Sequence, residues 1–124
     1  MGKHHRLIVG AVLAAATIWF SPSAEAHAVL LDALPKPGTV VPGPDVEVRL
    51  HYNARIDHQR SSLTLFTPDG REIAVAAGTV DAPVDALTAK LQSLGPGKYR
   101  LRWQVLAVDG HITRGDVEFE VRVP

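Results

Sequence analysis

Apolar and polar residues alternate along several short segments of this chain, which is the pattern of half-buried β-strands. In the clearest segment, residues 99–105, apolar side chains occupy every second position, and Arg or Gln occupies the positions between them. Residues 46–52 and 117–123 repeat this alternation. Each segment therefore has one face suited to a core and one face suited to water.

Weaker strand patterns lie between these segments, and turns rich in Pro and Gly separate them. The weaker patterns occupy residues 29–34, 63–66, 72–76 and 86–91. No segment after residue 26 has a helical period. About seven short antiparallel strands in roughly a hundred residues are typical of a β-sandwich. We therefore predict an all-β fold: a single antiparallel Greek-key β-sandwich, immunoglobulin-like or cupredoxin-like, with about seven strands.

Trp103 occupies the centre of the clearest strand, on its apolar row. A tryptophan there can serve as a core anchor, whereas a platform for a sugar or a base would need an exposed position. We therefore predict that Trp103 is buried and structural.

The first 26 residues have the three parts of a secretory signal peptide. A short positive start is followed by an uncharged apolar run over residues 7–20 and by an A-x-A cleavage site at residues 24–26. The run is shorter than the roughly 20 residues that span a bilayer, so we favour a cleaved signal over a membrane anchor. The predicted organisation is a signal peptide over residues 1–26 and one domain over residues 27–124.

The composition limits the kinds of partner that the protein can be expected to bind. The chain carries 13 Lys and Arg against 13 Asp and Glu, without runs of either sign, and it has no cysteine. A balanced surface lacks the basic stripe that attracts nucleic acids or anionic membranes, so we expect neither a nucleic-acid partner nor membrane insertion of the mature chain. The only methionine is Met1. Without thiolate or thioether, imidazole, amine and carboxylate ligands suit a divalent ion better than Cu(I).

Cleavage after Ala26 would make His27 the first residue of the mature protein. The α-amine and the ring Nδ1 of an N-terminal histidine can close a six-membered chelate ring around one ion, so one residue supplies two ligands. Both nitrogens must lose protons, and reference pKa values of about 7.7–8.0 for the amine and about 6.5 for imidazole allow this near neutral pH. The predicted chelate depends on the cleavage site.

Asp109-Gly110-His111 connects two strongly patterned strands. If Gly110 adopts a positive φ, the carboxylate and the imidazole beside it can face one ion. Taken alone, the tripeptide is better explained as a polar turn, because Asp-Gly is a favoured hairpin dipeptide. His51, on the polar face of its strand, and His58, in a polar loop, are interpreted as side chains outside the metal site.

Several motifs occur together along residues 27–124. They are H-A-V-L at 27–30, P-x-P-G at 35–38, L-H-Y at 50–52, G-x-Y-x-x-x-W-x-V at 97–105, D-G-H at 109–111, Gly115 and F-x-V at 119–121. This arrangement resembles the CopC copper-resistance family of small secreted β-sandwich proteins. The block from Gly97 to Val121 is its most specific part.

The resemblance implies a periplasmic Cu(II)-binding protein of copper resistance, homeostasis or delivery, with no catalytic role. It implies one Cu(II) ion per chain, held by the amine and imidazole of His27 and by Asp109 and His111. Three nitrogens and one oxygen form a tetragonal set suited to Cu(II). It also implies a separate CopD-like copper permease of the inner membrane as partner, and we expect a monomer.

Two departures from the family pattern bear on this interpretation. Residues 63–80 contain neither Met nor His, so the Cu(I) loop of some members is not carried over. Ala54 occupies the position where members often place a Glu near the copper, and outer-shell partners can change metal affinity about 10- to 100-fold. Two other functions stay open: a histidine-brace copper oxidative enzyme like the lytic polysaccharide monooxygenases, and a metal-free interaction module.

Overall fold

Eight β-strands form over residues 27–124, the part of the chain that this computed structural model describes together with Gly2. The predicted signal peptide and its cleavage site otherwise lie outside the described residues. No helix that could cross a membrane occurs in the described part. The strands are β1 (Leu30–Leu34), β2 (Thr39–Pro42), β3 (Val46–Tyr52), β4 (Ile56–Phe66), β5 (Glu72–Val75), β6 (Ala86–Leu91), β7 (Gly97–Ala107) and β8 (Ile112–Arg122).

The strands form two sheets, and the predicted all-β sandwich is confirmed. The three-stranded sheet has the order β1-β3-β6, and the five-stranded sheet has the order β2-β8-β7-β4-β5. All pairs are antiparallel except β2 with β8, which run parallel. No strand was predicted over residues 39–42, which form β2. This segment is four residues long, lies at a sheet edge and ends at Pro42, which cannot donate a ladder hydrogen bond.

The core lies between the two sheets and follows the period of two in β3, β7 and β8. Leu50 of β3, Leu101 of β7 and Val117 of β8 are fully buried. Trp103 is 7% exposed, which confirms its predicted burial. The Tyr52 ring packs edge-on against Trp103, with 5.3 Å between the ring centroids.

The hairpin of β7 and β8 is longer than predicted and positions the turn at its end. Its pairing runs from Gly97 opposite Val121 to Leu106 opposite Ile112. Within it, Gly115 lies opposite Trp103, and a Cβ at position 115 would lie only 2.5 Å from Trp103 Cζ2. A glycine is therefore needed for the indole to lie across β8.

Strand β4 corrects the prediction that His58 lies in a polar loop. The structure has one strand over residues 56–66, with an irregularity between Asp57 and Ser62. There, the carboxylate Oδ1 of Asp57 accepts the N–H groups of the two residues at 59 and 60, at 3.0 and 3.2 Å. Because these local bonds replace regular pairing, a polar segment that looks like a loop is an irregular part of one strand.

Candidate metal centre

The turn over Asp109, Gly110 and His111 joins β7 to β8. Gly110 has φ 91°, in the left-handed region that glycine tolerates best. Its N–H donates to the Ala107 carbonyl at 2.9 Å, and the Ala107 N–H donates to the His111 carbonyl at 2.9 Å. The turn is thus closed by its own backbone, which fixes where the side chains at 109 and 111 begin.

Asp109 and His111 lie in direct contact with each other. The ring Nδ1 of His111 lies 3.0 Å from Asp109 Oδ2, and the His111 backbone N–H donates to Asp109 Oδ1 at 3.1 Å. The side-chain hydrogen bond, followed by the backbone one, lowers the pKa of Asp109 below its ordinary value. The carboxylate is therefore ionised at neutral pH, as a cation site requires.

His27 comes to the same turn from the other end of the described chain. Its ring lies against that of His111, with 5.1 Å between the centroids and 63° between the planes. The charge of His27 also contributes to the lowered pKa of Asp109, as the smallest of the causes. The three residues predicted as ligands are therefore neighbours.

The donor set fits a divalent copper ion in its chemistry, with two imidazoles and one ionised carboxylate. Among residues 27–124, no three His, Asp or Glu side chains are already grouped as a metal site. His27, Asp109 and His111 are therefore not yet grouped closely enough to form such a site, and the fourth predicted donor is the α-amine that cleavage before His27 would free. The observed side chains would therefore have to close around the ion.

Two residues that the sequence analysis did not identify hold the segment after His27. The Thr113 hydroxyl donates to the Ala28 carbonyl at 2.9 Å, and Asn53 Oδ1 accepts the Val29 N–H at 2.8 Å. The Asn53 N–H also donates to the Val29 carbonyl at 3.1 Å. Counting back by twos from Val117 places Thr113 on the inward row, and this polar residue on an apolar row is the signal that could have identified it.

The remaining candidates have other neighbours. His51 Nε2 lies 3.0 Å from Asp85 Oδ2, and His58 Nε2 lies 2.9 Å from the Ala86 carbonyl oxygen. Ala54 occupies the position where the family often has a Glu, and its methyl side chain offers no ligand. It is partly buried against the core. The contacts recorded at the turn, among the residues that the sequence singled out, join His111 to Asp109 and to His27.

Comparison with known sequences gives one family. The model of the CopC domain matches residues 30–122, beginning three residues after His27. Protein YobA of Escherichia coli K12 is 27% identical over 104 residues, which cover 82% of this chain and 84% of that protein. The protein of the same name from Shigella flexneri matches over the same shares.

Solved structures give the same result. CopC from Methylosinus trichosporium OB3b matches with a TM-score of 0.69 and 28% identity, over 78% of this chain and 95% of that one. PcoC, a methionine-rich copper resistance protein from Escherichia coli, matches with a TM-score of 0.63 over 78% of this chain and 100% of that one; at 22% identity it supports the fold alone. The family model covers most of the chain, and the protein therefore belongs to the CopC family.

Proposed function

We propose that this protein is a periplasmic Cu(II)-binding protein of copper resistance, homeostasis or delivery, and not an enzyme. One ion would be held by His27, Asp109 and His111 once the signal peptide has been removed. The observation that carries the proposal is the approach of the His27 ring to His111, beside the ionised carboxylate of Asp109. Membership of the CopC family, whose resemblance to this chain implies copper resistance, supports copper as the metal.

Each residue has a distinct part in holding the ion. His27 would supply the α-amine and Nδ1, which together form the chelate ring. The hydrogen bond between His111 Nδ1 and Asp109 orients the imidazole and directs a metal to Nε2. Asp109 adds a negative charge that favours a cation, and a carboxylate shift would let it supply the oxygen of the tetragonal set.

The donor types also determine which oxidation state the protein retains. Amine, imidazole and carboxylate ligands suit Cu(II), whereas Cu(I) prefers thiolate and thioether sulfur. Residues 27–124 contain neither Cys nor Met. The site would therefore hold Cu(II) in preference to Cu(I). We propose a separate CopD-like permease of the inner membrane as the recipient or donor of this copper.

The proposal is tested on the exported protein. Mass spectrometry establishes whether it begins at His27, and Cu(II) titration against a competing chelator gives the affinity. We expect one ion per monomer and an electron paramagnetic resonance spectrum of a tetragonal, nitrogen-rich site. One extra residue before His27 displaces the amine and should remove most of the affinity, as should His111→Ala. His51→Ala, which removes a histidine bound to Asp85, is the matched control and should bind as wild type does.

The same variants, together with an activity assay, distinguish the two alternative functions from the carrier function. A metal-free interaction module predicts that the extended chain and His111→Ala behave like wild type, which would exclude the copper site. A histidine-brace oxidative enzyme would bind copper through the same nitrogen ligands, but it would also catalyse repeated oxidation of a substrate. Ascorbate-driven peroxide formation or glycan cleavage by the copper-loaded protein would therefore contradict the carrier function.

A further inference from the structure

Asn53 and Thr113 hold the two residues that follow His27, and we refer to this pair as the N-terminal clamp. Thr113 Oγ1 donates to the Ala28 carbonyl, and Asn53 Oδ1 accepts the Val29 N–H. Asn53 directly follows β3 of one sheet, and Thr113 belongs to β8 of the other. The segment is therefore attached to both halves of the sandwich.

The clamp lies beyond the regular pairing of the first strand. Pairing of β1 with β3 begins at Leu30, opposite Tyr52, and it is irregular between Leu30 and Asp32. Ala28 and Val29 precede this ladder, where the Ala28 side chain is buried in the core and one backbone bond runs from the Asn53 N–H to the Val29 carbonyl at 3.1 Å. The side-chain bonds of Asn53 and Thr113 add to these two contacts. The bonds to Asn53 and Thr113 carry the attachment one to two residues closer to His27.

Thr113 also links the segment that follows His27 to the strand that follows His111. It lies two residues after His111 on β8, and it pairs with Val105 inside the long hairpin. Its bond to Ala28 therefore ties the neighbour of His27 to the strand that begins beside His111. The two rings approach to 5.1 Å where this strand begins.

A chelate at a chain terminus must order that terminus, and this ordering reduces affinity. Fixing one residue costs about as much free energy as a 5- to 30-fold change in an equilibrium constant. If the clamp has already ordered residues 28 and 29, binding pays this cost only for His27. We propose that Asn53 and Thr113 are positioning residues that pre-organise the His27 chelate for Cu(II). This inference rests on the proposed function.

The test uses variants that remove one clamp bond without touching a proposed ligand. Thr113→Val keeps the shape but loses the hydroxyl, Thr113→Ser keeps the hydroxyl, and Asn53→Ala removes the acceptor. Two matched controls remove similar bonds elsewhere in the sandwich. Thr39→Val removes the hydroxyl that donates to the Lys36 carbonyl at 2.6 Å, and Asp45→Ala removes the carboxylate that accepts the Ser93 N–H at 3.1 Å.

Two readouts distinguish positioning from structural support. In the metal-free protein, hydrogen exchange of the Val29 amide should accelerate in Thr113→Val and Asn53→Ala. In the same variants, Cu(II) affinity should fall about 5- to 30-fold, the cost of ordering one residue. The spectrum at saturation should keep the wild-type ligand set. Thr113→Ser should restore the affinity, and the controls should match wild type.

Each failure has its own pattern. Faster exchange of Val29 with Cu(II) affinity unchanged would mean that the clamp is only structural, and unchanged exchange would mean that these bonds do not hold the segment. Either result overturns the inference while wild type still binds copper. If wild type binds copper no better than the chain extended before His27, the proposed function fails, and the inference fails with it.

Discussion

Gly115→Ala tests how closely the hairpin that carries the turn is packed. A Cβ at this position would lie 2.5 Å from Trp103 Cζ2, 2.7 Å from Cε2 and 3.0 Å from Nε1. These atoms belong to a rigid ring that is 7% exposed and lies against Tyr52. The indole cannot give way at its tip, so either the whole ring or the paired strand must move.

The size of the effect follows from two opposing contributions. Overpacking of a core typically costs about 1–3 kcal/mol. Replacing a strand glycine by alanine recovers about 0.5–1 kcal/mol of conformational free energy. Together they give a net loss of about 0–2.5 kcal/mol. Because the Cβ would meet a rigid ring at 2.5 Å, we expect the upper part of this range, about 1–2.5 kcal/mol, which lowers Tm by about 4–20 °C in a domain of 60–100 residues.

Urea denaturation of the mature chain measures this loss. Trp103 is the only tryptophan in residues 27–124, so its fluorescence reports on the altered contact, and circular dichroism follows the global transition. Gly95→Ala is the control, because a Cβ there meets no atom within 4 Å. A loss below about 0.5 kcal/mol for Gly115→Ala, or an equal loss in a Trp103→Phe background, would refute a collision with the indole.

Three further predictions concern ionisable and buried polar groups. Burial raises the pKa of Tyr52, and its hydroxyl has no hydrogen-bond partner within residues 27–124. Because Tyr52→Phe removes no hydrogen bond, it should leave the free energy of unfolding within about 1 kcal/mol of wild type. A larger loss would contradict this. His111→Ala should raise the pKa of Asp109 toward its ordinary value, seen in its carboxyl NMR shift. Because that pKa is lowered by folding, the ionised carboxylate contributes stability above the ordinary carboxyl pKa, and this contribution is lost as pH falls through the lowered value; an unchanged pKa would refute the assignment. Cu(II) affinity should decline between about pH 7.5 and about pH 5, since the amine and both imidazoles must lose protons; flat affinity would argue against nitrogen ligands.

The alternation of apolar and polar residues predicted the strands whose two faces meet different environments. It succeeded for β3, β7 and β8, where one row of side chains is buried and the other is exposed. It failed for β2, which contains no buried residue and whose parallel pairing depends on β8 near the far end of the chain. It also missed the first half of β4, because the hydrogen bonds of Asp57 interrupt the period of two.

The candidate site divides in a similar way. The proximity of Asp109 and His111 could be expected from a turn of three residues, since a glycine between them leaves little room for separation. The proximity of His27 could be expected only through the family resemblance. Neither source identified Asn53 or Thr113. Thr113 stands out as a polar residue on an apolar row, but the partners of both residues are backbone groups of Ala28 and Val29, which leave no trace in a sequence pattern.

The bond between Thr113 and Ala28 joins positions that are 85 residues apart in the chain. Contacts of such separation form only after the intervening chain has been ordered, because the entropy of closing so long a loop must first be offset. β1 pairs only with β3, whereas the turn at Asp109 belongs to the other sheet. A half-folded chain would therefore offer a metal ion the His27 chelate apart from His111, and capture by both histidines together would mark a molecule whose two sheets have already docked.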